Sequence, residues 1–265
     1  MKPSDNEALT KLPDHPSGVL CIDKPASWTS FDVVAVVRKT LRMRRVGHGG
    51  TLDPAATGVL PVLVGSATRF FDDLRGARKV YAAVIRFGSE TDTDDAQGRR
   101  VRTADPPTRA VAENALVSFR GVIQQTPPAY AAVKVGGRPA YARARSGEAV
   151  ELAAREVQVM RLDVTGWSDE GDLGLLVVCS SGTYIRSIAR DLGRATSSAA
   201  HLAGLRRLAV GALDIRDATP IDTLRAEGHD AAVARVRAVG DELLALDPRY
   251  MSDPADRLVG AETAT

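Results

Sequence analysis

The chain has only two cysteines, Cys21 and Cys179, far apart in 265 residues and each inside an apolar run. A disulfide-stapled secreted fold is not expected, and two buried thiols in a reducing compartment are. No run approaches the ~20 apolar residues of a membrane span. The opening MKPSDNEALTKLPDHPSG carries no apolar segment of signal-peptide type, so a cytoplasmic protein is expected. There is no GxxxxGK[ST] loop and no strand followed by GxGxxG, which disfavours nucleotide-driven and dinucleotide chemistry. The four histidines (His15, His48, His201 and His229) are scattered, and neither CxxC nor HExxH occurs. No zinc site is expected.

What is present suits a soluble globular protein: 44% hydrophobic and 26% charged residues, enough for one large domain with a small appendage. The net charge of +2 conceals an asymmetry, because residues 213–265 hold six arginines against eleven acids. The front is basic and the tail acidic. Of 35 cationic residues only six are lysine, a bias that suits bidentate phosphate or carboxylate recognition; high-GC codon usage would give the same ratio.

Residues 1–17 are polar, with three prolines, and read as a loose arm. Hydrophobic spacing predicts strands over 18–23, 59–64, 80–87, 157–167, 173–179 and 208–215, and helices over 31–42, 108–120, 184–192 and 231–246. Thr29 with Asp32 resembles a capping box for the first helix, and Gly121 is a helix stop. Many strands follow one another with no helix between, which favours an α+β fold with a mixed, largely antiparallel sheet over a doubly wound one.

Three places invite chemistry. Asp53 sits in the glycine-rich stretch Gly47 to Gly58, before Pro54 and beside apolar sequence; a desolvated carboxylate there needs a cationic partner, the alternative being an Asx-turn or helix cap. Arg186 falls in the first turn of a helix that follows Gly182, where the macrodipole disfavours a cation, hinting at a specific anion. Tyr81 opens a strand and is either core or a stacking platform for a base. The run Glu90 to Asp95 could hold a divalent ion, but lacks EF-hand spacing and reads as a solvated turn.

Gly47-His48 through Gly58, Lys79-Val80-Tyr81, Gly182-Thr183-Tyr184-Ile185-Arg186 and Leu205-Arg206-Arg207 together resemble the bacterial TruB family of tRNA pseudouridine synthases. The likeness runs from about Gly18 to about Leu213 and includes Pro127-Pro128-Ala129-Tyr130 and Lys134-Val135-Gly136-Gly137-Arg138. It implies a pseudouridine synthase fold and cofactor-free isomerisation of the T-loop uridine at tRNA position 55. The glycosidic N–C bond breaks, uracil turns, and a C–C bond forms. The resemblance makes Asp53 the catalytic carboxylate, attacking ribose C1′ or supporting a glycal-type route, with Arg186 paired to it and Tyr81 stacked on the uracil near the departing proton. His48, Lys24, Pro25, Tyr184 and Leu205 match substrate-binding or pocket-shaping positions. Extrusion of the base is expected, with phosphate contacts from Arg38, Arg42, Arg44, Arg45, Arg138, Arg143 and Arg145.

The implied organisation is a flexible arm (1–17), a catalytic domain (18–212) with an RNA-gripping insertion at about 126–147, and a short acidic segment (213–265), too few residues for the PUA-type domain many members carry. Tyr130-Ala131-Ala132 and Pro139 depart from the common pattern and bear on RNA contacts. No metal, no cofactor and no obligatory protein partner are expected, and a monomer is. The rivals are a tRNA-folding chaperone, a guide-RNA-dependent relative, and a glycosidase, which lacks an obvious second carboxylate.

Overall fold

The computed structural model describes residues 16–251, except 132, 136, 141, 142, 144, 145, 147 and 149–151. Most of the expected arm, Arg145 and parts of the 126–147 segment therefore lie outside the described residues, as do residues 252–265. In chain order the elements are β1 (Gly18–Lys24), α1 (Ser30–Leu41), β2 (Val46–His48), β3 (Thr57–Val64), α2 (Phe71–Gly76), β4 (Lys79–Phe87), β5 (Ser89–Thr91), β6 (Arg100–Thr103), α3 (Arg109–Ala115), β7 (Gly121–Gln125), β8 (Lys134–Val135), β9 (Arg138–Pro139), β10 (Arg155–Trp167), β11 (Leu173–Cys179), α4 (Ile185–Ala195), β12 (Ala200–Val210), β13 (Leu213–Asp214), β14 (Thr219–Pro220) and α5 (Ile221–Ala234).

One sheet dominates, in the order β14-β1-β3-β12-β4-β11-β10-β7, with β2 added to β3 and β13 to β12. The pairs β1/β14 and β3/β12 are parallel and the others antiparallel, which is the mixed, largely antiparallel α+β sheet expected. α1 forms as read: Thr29 and Asp32 complete a reciprocal capping box, Val33, Val34, Val37 and Leu41 are buried, and Arg42 ends the helix at φ 53°. Burying each of those side chains stabilises the fold by about 1.5–3 kcal/mol relative to exposure. Both cysteines are buried and unbonded to each other.

Three expectations are corrected. The strand read at 208–215 is the end of a longer one: β12 starts at Ala200, and Gly211 (φ 54°) turns the chain into β13. Its first eight residues hide a strand because the buried His201 and Arg207, with Gly204 and Arg206 between them, break the apolar pattern. The helix read at 231–246 ends at Ala234 and begins at Ile221, with Gly228 (φ 81°) as a non-helical break; Ile221, Leu224 and Ala232 supply its buried face. Residues after it form short 3-10 turns at Asp241–Leu243 and Pro248–Tyr250. Gly121 stops the helical run as read: a 3-10 turn, Leu116–Phe119, extends α3, Arg120 caps it, and Gly121 at φ 82° turns the chain into β7.

The Glu90 to Asp95 run is no solvated turn. Glu90, Thr91 and Asp94 are buried. Glu90 is paired with Arg194 and Arg102, and Asp94 with Arg190 at 2.8 Å. Burial pushes the Asp94 carboxyl up to about 6 although Arg190 pulls it down. These cations lie as many as 104 residues away in sequence, beyond the reach of any local reading.

Candidate active site

The centre of the sheet builds the site. β3 and β12 meet in parallel at only two positions, Thr57 with Arg206 and Gly58 with Arg207. Gly58 (φ 102°) lies so close to the Arg207 backbone that a Cβ would stand 2.2 Å from its carbonyl oxygen; only glycine fits. This contact brings the loop before β3 against β12, and β12 pairs in turn with β4, setting Arg207 opposite Tyr81 and Leu205 opposite Ala83.

The loop carrying Asp53 is tied from three sides. Arg207, with 2% of its surface exposed, donates from Nε to the Val59 carbonyl at 2.7 Å and from its two Nη atoms to the carbonyls of Thr51 and Gly50 at 3.2 Å. The Ser30 hydroxyl exchanges hydrogen bonds with the Leu52 backbone at 3.0 and 3.2 Å. The fully buried Lys24 ammonium donates to the carbonyls of Pro25, Trp28 and Pro54, and the Ser27 N–H also reaches Pro54 at 2.8 Å.

The Asp53 side chain is 39% exposed and faces Arg186. Nε of Arg186 lies 3.0 Å from Asp53 Oδ2 and 3.9 Å from Asp95 Oδ2. It makes no aligned hydrogen bond to either, so the contact is an ion pair. Its two Nη atoms donate to the carbonyls of Thr93 at 3.0 Å and Tyr130 at 3.2 Å, and the guanidinium is almost wholly buried. That fixed cation is the partner a half-buried carboxylate requires.

Asp53, Tyr81, Tyr184, Arg186 and Leu205 share the wall of one cavity of about 640 Å³ with Lys79, Arg155 and Arg207. Burial pushes the Tyr81 phenol up to about 12, against the pull of the nearby Arg207; it is neutral at physiological pH. The Arg155 guanidinium stacks 4.9 Å above the Tyr184 ring, an aromatic face held by cation–π attraction. The space is concave and rich in cations at its walls, and of its two carboxylates, Asp53 and Glu156, Asp53 is the one paired with the buried Arg186; this suits a polar heterocycle attached to a sugar phosphate. Among the described residues no cluster of three or more His, Cys, Asp or Glu could hold a metal ion, and no helix is long and apolar enough to cross a membrane.

Other expected site residues stand elsewhere. His48, on β2, is outside the cavity wall and packs edge-on to Phe31 at 5.3 Å; burial lowers its pKa below the ordinary histidine value. Lys24 and Pro25 lie beneath the Asp53 loop, not on the cavity wall. Arg38, Arg42, Arg44 and Arg45 are exposed near the C-terminal end of α1 and after it, with Arg38 bonded to the Val46 carbonyl and Arg45 to Thr68. Arg138 and Arg143 both pair with Glu148, at 3.5 and 2.7 Å, so their charge is partly compensated. Lys79, Arg155 and Arg207 were missed as site residues; a cation inside an otherwise apolar strand was the available signal for Lys79 and Arg207.

Burial pushes the ammonium groups of Lys24 and Lys79 down to about 8. Each serves three backbone carbonyls, and a neutral amine has only two N–H donors for them. As pH rises through about 8 to about 10, the loop before Pro54 and the end of α2 lose a tie, and turnover is expected to fall. A rate that stays level across that interval would contradict this.

A family model described as TruB family pseudouridylate synthase (N terminal domain) matches residues 38–185. The chain is 52% identical over 219 residues to tRNA pseudouridine synthase B of Thermobifida fusca (strain YX), covering 79% of this chain and 75% of that relative. It is 49% identical over 216 residues to the protein of the same name from Leifsonia xyli subsp. xyli (strain CTCB07), covering 78% and 72%. Among solved structures it is similar to a chain of a Cbf5-Nop10-Gar1 complex, with TM-score 0.62 and 28% identity over 82% of this chain and 58% of that one. A chain of an H/ACA RNP bound to a substrate RNA containing 2′-deoxyuridine gives TM-score 0.60 and 26% identity over 85% and 60%. The present chain spans less than two thirds of either structural relative. In class, the fold is that of a pseudouridylate synthase. Within that class, the chain belongs to the TruB family.

Proposed function

We propose that this chain isomerises the T-loop uridine of tRNA, at position 55, to pseudouridine, with Asp53 as the essential catalytic group. The names of its relatives support tRNA as the substrate. The observation that carries the catalytic assignment is Asp53 Oδ2 at 3.0 Å from the buried Arg186, on the wall of a cavity that also presents Tyr81. Asp53 acts on the ribose, by attack at C1′ or through a glycal, freeing uracil from its N1–C1′ bond. Uracil then turns, C5 bonds to C1′ as any bond from C1′ to Asp53 breaks, the C5 proton leaves and N1 takes up a proton; reactant and product have the same atoms, so no electron donor or acceptor enters the balance. Arg186 offsets the charge on Asp53 in both routes.

Tyr81 stacks against the uracil while it turns, and its hydroxyl lies where the C5 proton departs. Because the phenol stays protonated until far above neutral pH, it acts as a hydrogen-bonding group and not as a free phenolate. Tyr81→Phe keeps the ring and is expected to slow the single-turnover rate by about 10²–10⁴-fold with substrate affinity little changed. Retention of the full rate would remove the hydroxyl from the reaction.

The target base is buried in a folded T-loop, so it must be extruded at a cost of a few kcal/mol, offset by stacking and phosphate contacts. Leu205 and Tyr184 shape the cavity for it, His48 meets an adjacent nucleotide, and Lys24 with Pro25 support the Asp53 loop. The exposed Arg38, Arg42, Arg44 and Arg45 contact phosphates, assisted by Arg138, Arg143 and Arg145 from the 126–147 segment, which grips the RNA. The catalytic unit is 18–212, residues 213–265 form an acidic appendage, and the protein works as a monomer without an obligatory protein partner. The test is tritium release from an unmodified tRNA transcript labelled at uridine C5. About one equivalent per tRNA, mapped to the T-loop, is expected. Binding with no release would favour an RNA-folding chaperone.

A further inference from the structure

Arginine recurs every fourth residue on α4, at 186, 190 and 194, and all three side chains reach acids on the 90–95 segment. Residues four apart share a helix face, so this is one ladder, and only its first rung reaches Asp53. The second rung, Arg190, is 7% exposed and does not line the cavity. It binds Asp94 at 2.8 Å, its neighbour Asp191 at 2.8 Å, and the Thr126 carbonyl at 2.9 Å. Ser187, fully buried, donates its hydroxyl to that same Thr126 carbonyl at 2.8 Å.

Thr126 follows directly on β7, at the root of the segment that leads to Tyr130. One residue earlier, the Gln125 side chain accepts from the Tyr184 N–H at 2.8 Å and donates to its carbonyl at 3.1 Å. Four residues later, the Tyr130 carbonyl accepts from Arg186 itself. The 125–130 segment is therefore stitched to the first two turns of α4 and to the residue before it at 125, 126 and 130. The last stitch uses the guanidinium that pairs with Asp53. Buried ion pairs are weak contributors to stability, since desolvation offsets their attraction, so this ladder calls for a role other than holding the fold together.

We propose that Ser187 and Arg190 are positioning residues, which lock the root of the 126–130 segment onto α4 and thereby hold the Arg186 guanidinium at Asp53. Resting on the catalytic reading above, this adds that the same carbonyls tie the RNA-gripping segment to the reacting carboxylate: a displacement of Thr126 along α4 is passed to Tyr130, and the Tyr130 carbonyl holds one arm of Arg186.

The experiment is single-turnover tritium release by the full chain carrying Ser187→Ala, Arg190→Lys, or both, with tRNA affinity and thermal midpoint measured in parallel. Ser187→Ala removes one hydroxyl and is expected to slow isomerisation about fivefold. The double variant, which leaves the Thr126 carbonyl with neither of its native donors, should slow it by about two orders of magnitude. Affinity should stay within about threefold, so that the loss falls on the rate of the bound complex and not on binding. A purely structural role would lower the thermal midpoint and leave the rate of the folded fraction unchanged. That result, or a loss of affinity with the rate preserved, would overturn the proposal. Release by the wild type that every variant matches would sink this inference alone; no release by the wild type would sink the catalytic reading and this inference with it.

Discussion

Asp53→Asn is expected to abolish pseudouridine formation, with single-turnover rates down by at least about 10⁴-fold, while tRNA still binds within a few fold. The substitution keeps shape and removes the charge, and an amide can neither attack C1′ nor support a glycal at a useful rate; losses of this size are typical when the group that makes or assists a covalent step is removed. Binding survives because the exposed part of Asp53 is a small part of a wide cationic wall. The fold survives too, because Arg186 keeps Asp95 at 3.9 Å and two backbone carbonyls. Tritium release from C5-labelled transcript measures the first effect and filter binding the second. If release persists above a hundredth of the wild-type rate, the carboxylate is not essential; if affinity collapses with the rate, Asp53 is a binding residue.

Arg186→Leu should be nearly as severe. It strips the cation from Asp53 and leaves the carbonyls of Thr93 and Tyr130 without their donor. Removing one member of a buried pair costs about 3–5 kcal/mol. Here Asp53 is 39% exposed, so water recovers part of that. A rate loss of about 10²–10³-fold is the expected balance. Arg186→Lys restores a charge but not the fork that spans both carbonyls, and should recover only part of the rate. A leucine variant with more than a tenth of the wild-type rate would show that the ion pair does not support the reaction.

How much of this was legible beforehand differs from residue to residue. The capping box at Thr29 and Asp32, the buried spacing of α1, and the strands around Tyr81 and before Cys179 rest on local rules, and the structure has them. Asp53 was ambiguous by spacing alone, since a carboxylate before proline is often an Asx-turn; the motif likeness raised it, and its partner 133 positions later is what gives it a role. Arg207 stood in plain sight beside Leu205, yet a strand arginine is ordinarily a surface residue. Nothing local says that its guanidinium would turn inward to hold the carbonyls of Gly50, Thr51 and Val59. Lys24, matched by likeness to a substrate-binding or pocket-shaping position, is fully buried, its ammonium bonded to the Pro54 carbonyl of the loop.

By itself the sequence determined the class of fold, the α1 cap and the positions of the long strands and of α1, α3 and α4, the absence of a disulfide framework, and the short list on which Asp53, Tyr81 and Arg186 stood. These depend on neighbours within a few residues, where 2.0 and 3.6 periodicity and cap chemistry operate. The tertiary structure alone decided which charges are buried and with whom: Glu90 with Arg194, Asp94 with Arg190, and Arg138 with Arg143 around Glu148. Burial and ion pairing set each other, because a charge leaves water only where a partner is already held, and for most of these side chains that partner was brought close by strand order and not by sequence.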